Sequence, residues 1–429
     1  MNNFAWVDDL ALQLRAQGQP RLAYLIDDVP HKNFRGQHAL VEALVPEALA
    51  LARSLDIPWL EVYFKHWLCS SRADRYHGEI QLGEVVEAYE QAHQDTTQGC
   101  PQSVCLTQDL VLTYANVDGP GWVPERLAAC DETLARIDPS WGCFGCIVIE
   151  RARAMGDQGQ PREAVLYLQR QRDAATRAGK KVTSHVFSNE VEQWLIAGDA
   201  QTALQVLDAS EGEVGNSDPR ERLCRLLQRC RALAMAGQSQ AAWDRLPSFA
   251  DTDVLDYVPW CRAAAAIARA LPERNTPALG QALWTTIEYL HQVGNHRRLI
   301  DLVLEQVPLA LERKVPWLAA QALAHACHHL PLLRADLGAA AQVEQAAQAL
   351  ASATALPAPC GPAELVAWLD SPEAAAESDE AMLQWLTQAC QALPADEALA
   401  MRLDSARSHY GRHAQARIYL QAVGARNEL

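Results

Sequence analysis

Two cysteines of this chain lie at a spacing that can hold a metal ion or form a redox pair. Cys143 and Cys146 make a C-x-x-C motif, in which zinc sites and thiol–disulfide enzymes present their sulfur atoms. A zinc site of this kind needs two further ligands, and no second C-x-x-C or C-x-x-H motif lies within about 30 residues. The nearest other pair, Cys100 and Cys105, has a different spacing. We therefore predict small buried side chains at a helix start.

Three histidines fall on adjacent turns of one predicted helix. His325, His328 and His329 form an H-x-x-H-H pattern. Metal coordination would need a further ligand, and no carboxylate follows at a matching spacing. The pattern therefore predicts a partly exposed polar helix face, with no metal site and no cofactor.

Charged residues recur at one position of several predicted helices. Six residues before four of the glycines, the charge alternates in sign along Arg153, Glu192, Arg231 and Glu288. Arg220 precedes Arg231 by eleven residues, or three helical turns. Salt bridges between neighbouring helices would explain the alternation, whereas binding of a carboxylate or phosphate would explain the arginines. Both interpretations stay open. The residues that we expect to line a binding groove are Arg153, Glu192, Arg220, Arg231, Trp284 and Glu288.

One predicted helix is rich in large aromatic residues. Trp59, Tyr63, Phe64 and Trp67 lie within nine positions. Aromatic side chains at helical spacing usually belong to a core, but four rings are more than one buried stripe needs. The alternative is that one or two of them, with Trp59 and Tyr63 as the candidates, are exposed as anchors for a partner.

Glycines mark the elements that carry these side chains. Five of them lie 38, 38, 39 and 39 residues apart: Gly83, Gly121, Gly159, Gly198 and Gly237. Apolar or small residues precede six of the chain's glycines by eleven, seven and four positions, as Phe187, Val191 and Trp194 precede Gly198. This spacing puts three side chains on one stripe of an α-helix. We expect each glycine to end its helix with a positive φ, which other residues adopt at a steric cost.

A second helix is predicted after each glycine. The fifth residue after the glycine is often alanine, as at Ala164 and Ala203, and a small residue there lets two helices approach closely. Each unit is therefore a helix, a glycine turn and a helix. A self-similar unit of about 20–50 residues indicates stacked modules.

These positions resemble the tetratricopeptide repeat family. The residues that fit the family's pattern are Ala152, Met155, Gly159 and Ala164, and then Val191, Trp194, Gly198 and Ala203. The resemblance covers most of residues 1–310, although the unit is longer than the family's usual length of about 34 residues. It implies an all-α fold, an α-solenoid of stacked antiparallel helix hairpins with a period of about 38–39 residues.

The composition changes toward the C-terminal end. We predict a helical repeat array over residues 1–335 and an Ala-rich helical region over residues 336–429, which continues the stack and caps it. An alanine-rich helix is predicted at 338–356, and the proline-rich segment 357–362 ends it.

The overall charge limits the partners. The chain has 53 acidic and 37 basic residues, a formal net charge of −16, which argues against a nucleic-acid partner because phosphate binding needs a basic face. No stretch reaches the roughly 18 apolar residues of a membrane span, and the N-terminal residues do not resemble a signal peptide. We therefore expect a cytoplasmic protein with no membrane partner, whose twelve cysteines are thiols.

The leading hypothesis for function is a non-catalytic scaffold or adaptor that binds a protein or peptide on the concave face of the repeats. The alternative is a bacterial regulatory sensor that responds to a peptide or small ligand and has no DNA-binding domain of its own. Nucleotide-binding, hydrolase and kinase motifs are missing from the sequence, so we predict no catalysis. A metal-dependent enzyme using His325, His328 and the thiols is the weaker alternative.

Overall fold

The protein is all-helical. The structure, a computed structural model, describes residues 5–180, 184–214, 219–313 and 316–353, and within these ranges every regular element is a helix. No helix in the described ranges has the length and apolar character that crossing a bilayer requires. Most of the predicted C-terminal region, residues 354–429, lies outside the described residues.

The first ten helices are α1 (Ala5–Ala16), α2 (Pro20–Phe34), α3 (His38–Ser54), α4 (Pro58–Asp74), α5 (Glu79–Ala92), α6 (Gln102–Asp118), α7 (Val123–Leu134), α8 (Phe144–Asp157), α9 (Pro161–Arg177) and α10 (Ser184–Ile196). The others in the described ranges are α11 (Ala200–Ala209), α12 (Glu211–Val214), α13 (Pro219–Met235), α14 (Ser239–Trp243), α15 (Tyr257–Ala270), α16 (Pro277–Gln292), α17 (His296–Glu312), α18 (Pro316–His329) and α19 (Ala339–Ala353).

Consecutive helices pack against each other. We count the pairs of the structure as α1 with α2, α3 with α4 and so on to α9 with α10, and then α11 with α13, α14 with α15 and α16 with α17. The second helix of a pair, such as α8 or α10, is therefore the helix that precedes the glycine in the predicted unit. The second helix of one pair also contacts the second helix of the next. Such contacts join α4 to α6, α6 to α8, α8 to α10, α10 to α13 and α13 to α15. The predicted stripes supply the core between them, because Ala152 and Val191 are fully buried. The sequence pattern therefore places the second helices side by side in one layer.

The described residues fall into two compact units. The first comprises those within Met1–Leu302 and His328–Ala339, and the second those within Val303–Cys327 and Ala340–Leu429. The features described below all belong to the first unit.

Three of the predicted glycine turns are confirmed. Gly159, Gly198 and Gly237 have φ angles of +86°, +76° and +80°. After Gly159, the N–H of Gln160 donates to the carbonyl of Met155 at 3.0 Å, and the equivalent bond recurs in the other two turns. These bonds satisfy the last carbonyls of α8, α10 and α13.

Two of the predicted turns are wrong. Gly83 lies inside α5, and Gly121 lies in a short 3₁₀ turn, Gly119–Trp122; neither has a positive φ. Spacing alone does not separate a glycine that ends a helix from one that an exposed helix face tolerates.

The two kinds of glycine should respond oppositely to alanine. Gly159→Ala is expected to lower the free energy of unfolding by about 1 kcal/mol, because alanine is strained at positive φ. Gly83→Ala should raise it by about 0.5–1 kcal/mol, because the site is an exposed helix interior where an added Cβ meets nothing within 4 Å. Urea unfolding of both variants measures the difference, and losses of equal size would contradict the assignment of the turns.

Segments far apart in the sequence meet within the first unit. The N–H groups of Gly78 and Glu79 donate to the carbonyls of Val293 and Gly294 at 2.9 and 3.1 Å. Asn295 Nδ2 donates to the carbonyl of Tyr76 at 3.0 Å. A Cβ at Gly78 would lie 2.4 Å from the Gly294 carbonyl oxygen, so only glycine permits this approach. We call these contacts, between residues 75–79 and 289–295, the closure contacts.

The carboxylate of Asp118 bonds to two segments distant in the sequence, near the closure contacts. This carboxylate, at the end of α6, accepts a hydrogen bond from Arg297 Nε on α17 at 3.0 Å. It also accepts from the backbone N–H groups of Arg334 and Ala335 at 2.8 and 3.2 Å. Asp118 therefore connects the end of α6 to α17 and to the segment that follows α18.

Candidate binding surface

Five charged side chains lie along the layer of second helices. One comes from each of α8, α10, α13, α15 and α17, and we call the set the charge row: Arg153, Glu192, Arg231, Arg262 and Asp301. Three of the four steps between them are 39 residues. Arg153, Glu192 and Arg231 each lie four residues before the last residue of their helix, and Arg262 and Asp301 are each the sixth residue of theirs.

Hydrogen bonds and ion pairs connect the charge row from helix to helix. Arg231 Nη1 donates to Glu192 Oε1 at 2.9 Å, and Arg262 Nη1 lies 3.8 Å from the same oxygen. Arg262 Nη2 donates to Asp301 Oδ2 at 3.2 Å. At the other end, Arg153 donates to Asn189 Oδ1 on α10 at 2.7 Å. Among the residues of the predicted alternation, Arg231 and Glu192 therefore form a salt bridge between neighbouring helices, whereas Arg153 reaches the next helix through the neutral side chain of Asn189.

The charge row is also accessible to solvent. Its side chains keep between 20% of their surface exposed, for Arg231, and 44%, for Asp301. Burial nevertheless raises the pKa of Asp301, against the effect of Arg262. Burial acts in the same direction on Glu192, but Arg231 and Arg262 outweigh it and lower that pKa. These side chains therefore touch water while neighbouring atoms remove part of their hydration.

Arg153 and Arg231 of the charge row retain the capacity to bind an anion. A guanidinium carries five N–H donors. Hydrogen bonds to other described residues use two groups of Arg153, at Asn189 and Glu150, and one of Arg231, at Glu192. A carboxylate from a ligand can therefore join the row without displacing its internal bonds.

The structure brings together three of the predicted groove residues and separates the others. Arg153, Glu192 and Arg231 belong to the charge row. Glu288 and Trp284 lie on α16, which is the first helix of its pair, and Trp284 is buried in the core. Arg220 begins α13 near Asp74, with 3.8 Å between Arg220 Nη1 and Asp74 Oδ2.

Sequence reasoning missed Arg262 and Asp301 because the repeat is interrupted. After Gly237, α14 has only five residues, and an irregular segment follows before α15. Gly294 therefore ends a first helix, and counting back from it leads to Glu288. The recurrence of 39 residues between Arg262 and Asp301 was the available signal.

The aromatic residues of α4 lie mainly in the core. Tyr63 is 1% exposed and donates its hydroxyl to the carbonyl of Ile26 at 2.9 Å. Trp59 is partly buried, packs edge-on against Trp6 and donates to the carbonyl of Thr96. The four rings are accommodated because α1, α2 and the loop after α5 all pack on this helix. They form no exposed anchor, so Trp59 and Tyr63 have no part in the candidate surface.

The cysteines of the C-x-x-C motif are packed near a third thiol. Cys105 Sγ lies 3.0 Å from Cys143 Sγ, and both residues are buried. Burial raises the pKa of Cys146 to about 12, so this thiol is protonated near neutral pH. A protonated thiol is a poor nucleophile and a poor metal ligand, as expected of small side chains at the start of α8.

No protein-family model matches the sequence, and no curated protein matches it.

Proposed function

We propose that the first unit is an α-solenoid of the tetratricopeptide-repeat type, with its concave face as the binding surface for a protein or peptide segment. The repeated contacts between second helices and the glycine turns at a 39-residue spacing support this arrangement. The single observation that carries the functional proposal is the charge row, because it connects one helix to the next and is solvent-accessible.

The ligand chemistry follows from the unused donors. The carboxylate of Glu192 already faces two arginines, whereas Arg153 and Arg231 have N–H groups left for a ligand. An extended segment with acidic side chains, or with a free terminal carboxylate, would supply the matching acceptors along the row. The protein has no catalytic role in this proposal.

Peptide selection tests the proposal. A random phage-displayed library selected on immobilised full-length protein should yield segments enriched in Asp and Glu. For a synthetic peptide of this kind, Arg231→Gln should weaken binding by about tenfold, since a charge-assisted hydrogen bond is lost. The matched control is Arg229→Gln on the same helix, where the guanidinium pairs with Asp208 at 2.5 Å outside the row; it should change affinity by less than about twofold. Peptides without acidic bias, or equal losses in the two folded variants, would contradict the proposal.

A second candidate function is a regulatory sensor, and the closure contacts favour it. They join segments more than 200 residues apart in the sequence through a few hydrogen bonds, so a ligand that prefers an open or a closed unit would shift its shape. Small-angle scattering with and without the selected peptide separates the two functions. An unchanged radius of gyration indicates a static scaffold.

A further inference from the structure

Four histidines of the first unit meet where three helices come together. His291 lies at the end of α16, His296 begins α17, and His328 and His329 end α18. The ring centroid of His329 lies 5.1 Å from that of His291, 5.3 Å from that of His328 and 4.9 Å from that of His296. The sequence pattern of α18 supplies only half of this cluster.

Three of the four rings have the arrangement of a metal site. His291, His328 and His329 each offer a ring nitrogen, and these atoms all lie within 4.8 Å of one another. A tetrahedral zinc ion with bonds of about 2.0–2.1 Å separates its nitrogen ligands by roughly 3.3 Å. His291 Nδ1 and His329 Nε2 are hydrogen-bonded at 2.8 Å, so an ion would replace that bond after a shift of about 0.5 Å.

Hydrogen bonds from neighbouring side chains would orient His329 as a metal ligand. Its Nδ1 lies 2.7 Å from Nδ1 of His296, and Nε2 of His296 lies 3.3 Å from Oε2 of Glu79. A proton on His296 Nε2 faces the Glu79 carboxylate, which leaves His296 Nδ1 to accept the N–H of His329. Nε2 of His329 is then the unprotonated nitrogen, the form that binds a metal.

Burial differs across the cluster in a way that suits a bound ion. His296 and His329 are each 2% exposed, whereas His328 is exposed. The inner rings are therefore fixed, and the ion would reach the cluster from the side of His328. We propose that His291, His328 and His329 bind one divalent ion of the zinc type, with His296 and Glu79 as outer support and one coordination position open to water or a ligand carboxylate.

Zinc titration of the untagged, full-length protein tests this site. After treatment with EDTA and dialysis, calorimetry should show one Zn²⁺ bound per chain. His328→Ala should weaken binding by more than about 100-fold, and His296→Gln by about 10–100-fold, because outer-shell partners have effects of that size. Co²⁺ in place of Zn²⁺ should give the visible absorption of a low-coordinate nitrogen site, and His328→Ala should abolish it.

The matched control is His325→Ala, which removes a histidine of the same helix that is not among the three ligands. It should leave the zinc affinity unchanged. Circular dichroism establishes that each variant is folded, and His328 is exposed, so its replacement spares the core. Sub-stoichiometric binding by the wild-type protein, no loss in His328→Ala, or an equal loss in His325→Ala would overturn the proposal.

Discussion

Replacing Asp118 with alanine should lower the free energy of unfolding of the first unit by about 3–5 kcal/mol. The Asp118 side chain is completely buried, and Arg297, its partner, is 13% exposed. The substitution takes the carboxylate from that guanidinium and leaves the N–H groups of Arg334 and Ala335 without their acceptor. Removing one partner of a buried ion pair is costly because the other charge stays in a poorly hydrated place.

Hydrogen exchange and urea unfolding measure this effect. The amides of Gly78 and Glu79, which donate across the closure contacts, should exchange faster in Asp118→Ala. Asp131→Ala is the control, since Asp131 also pairs with an arginine, Arg151, but keeps 56% of its side chain exposed. It should cost less than about 1 kcal/mol. An unfolding midpoint and exchange rates like those of the wild type would show that Asp118 does not stabilise the contacts between these segments.

Asp157→Ala is the second substitution with a large expected cost, about 3 kcal/mol. Its carboxylate accepts a hydrogen bond from Nη1 of Arg126, whose side chain is completely buried. Arginine keeps its charge under all ordinary conditions, so the buried guanidinium cannot lose its proton when Asp157 is removed. The expected loss of about 3 kcal/mol is at the low end of the range for breaking a buried ion pair. The reason is that Asp157 is 34% exposed, so water can partly replace its carboxylate.

A double variant separates the charge effect from simple loss of packing. Arg126→Met with Asp157→Ala removes both charges and keeps an apolar side chain in the space of the arginine. Urea unfolding should show that the double variant is more stable than Asp157→Ala alone. A further loss on adding Arg126→Met would mean that Arg126 contributes through its bond to the Gly119 carbonyl, at 3.0 Å, more than its charge costs.

Local sequence signals predicted the helices and the regular turns well. The stripe before Gly198, formed by Val191 and its neighbours, depends only on helix geometry, and the positive φ depends only on the glycine. The charge row was predicted as far as Arg231 for the same reason, since α8, α10 and α13 repeat without interruption. Both kinds of signal are read over one or two helical turns.

Contacts between segments far apart in the sequence could not be predicted from such local signals. His291 and His328 are 37 residues apart and meet only because α16, α17 and α18 come together. No sequence signal singled out Gly78, although it faces the carbonyl of Gly294. Tyr63 and its aromatic neighbours are buried because helices α1 and α2 cover them, which the pattern within α4 does not reveal.

The affinity of Glu192→Gln for an acidic peptide selected on the wild-type protein tests the central claim most directly. If the charge row is the binding surface, Glu192 competes with the ligand for Arg231 and Arg262. Removing its charge should then tighten binding severalfold, roughly 1 kcal/mol, whereas Arg231→Gln weakens it. Calorimetry that shows both substitutions weakening binding, or neither changing it, would contradict the account. The charge row would then only connect neighbouring helices and would not bind the peptide.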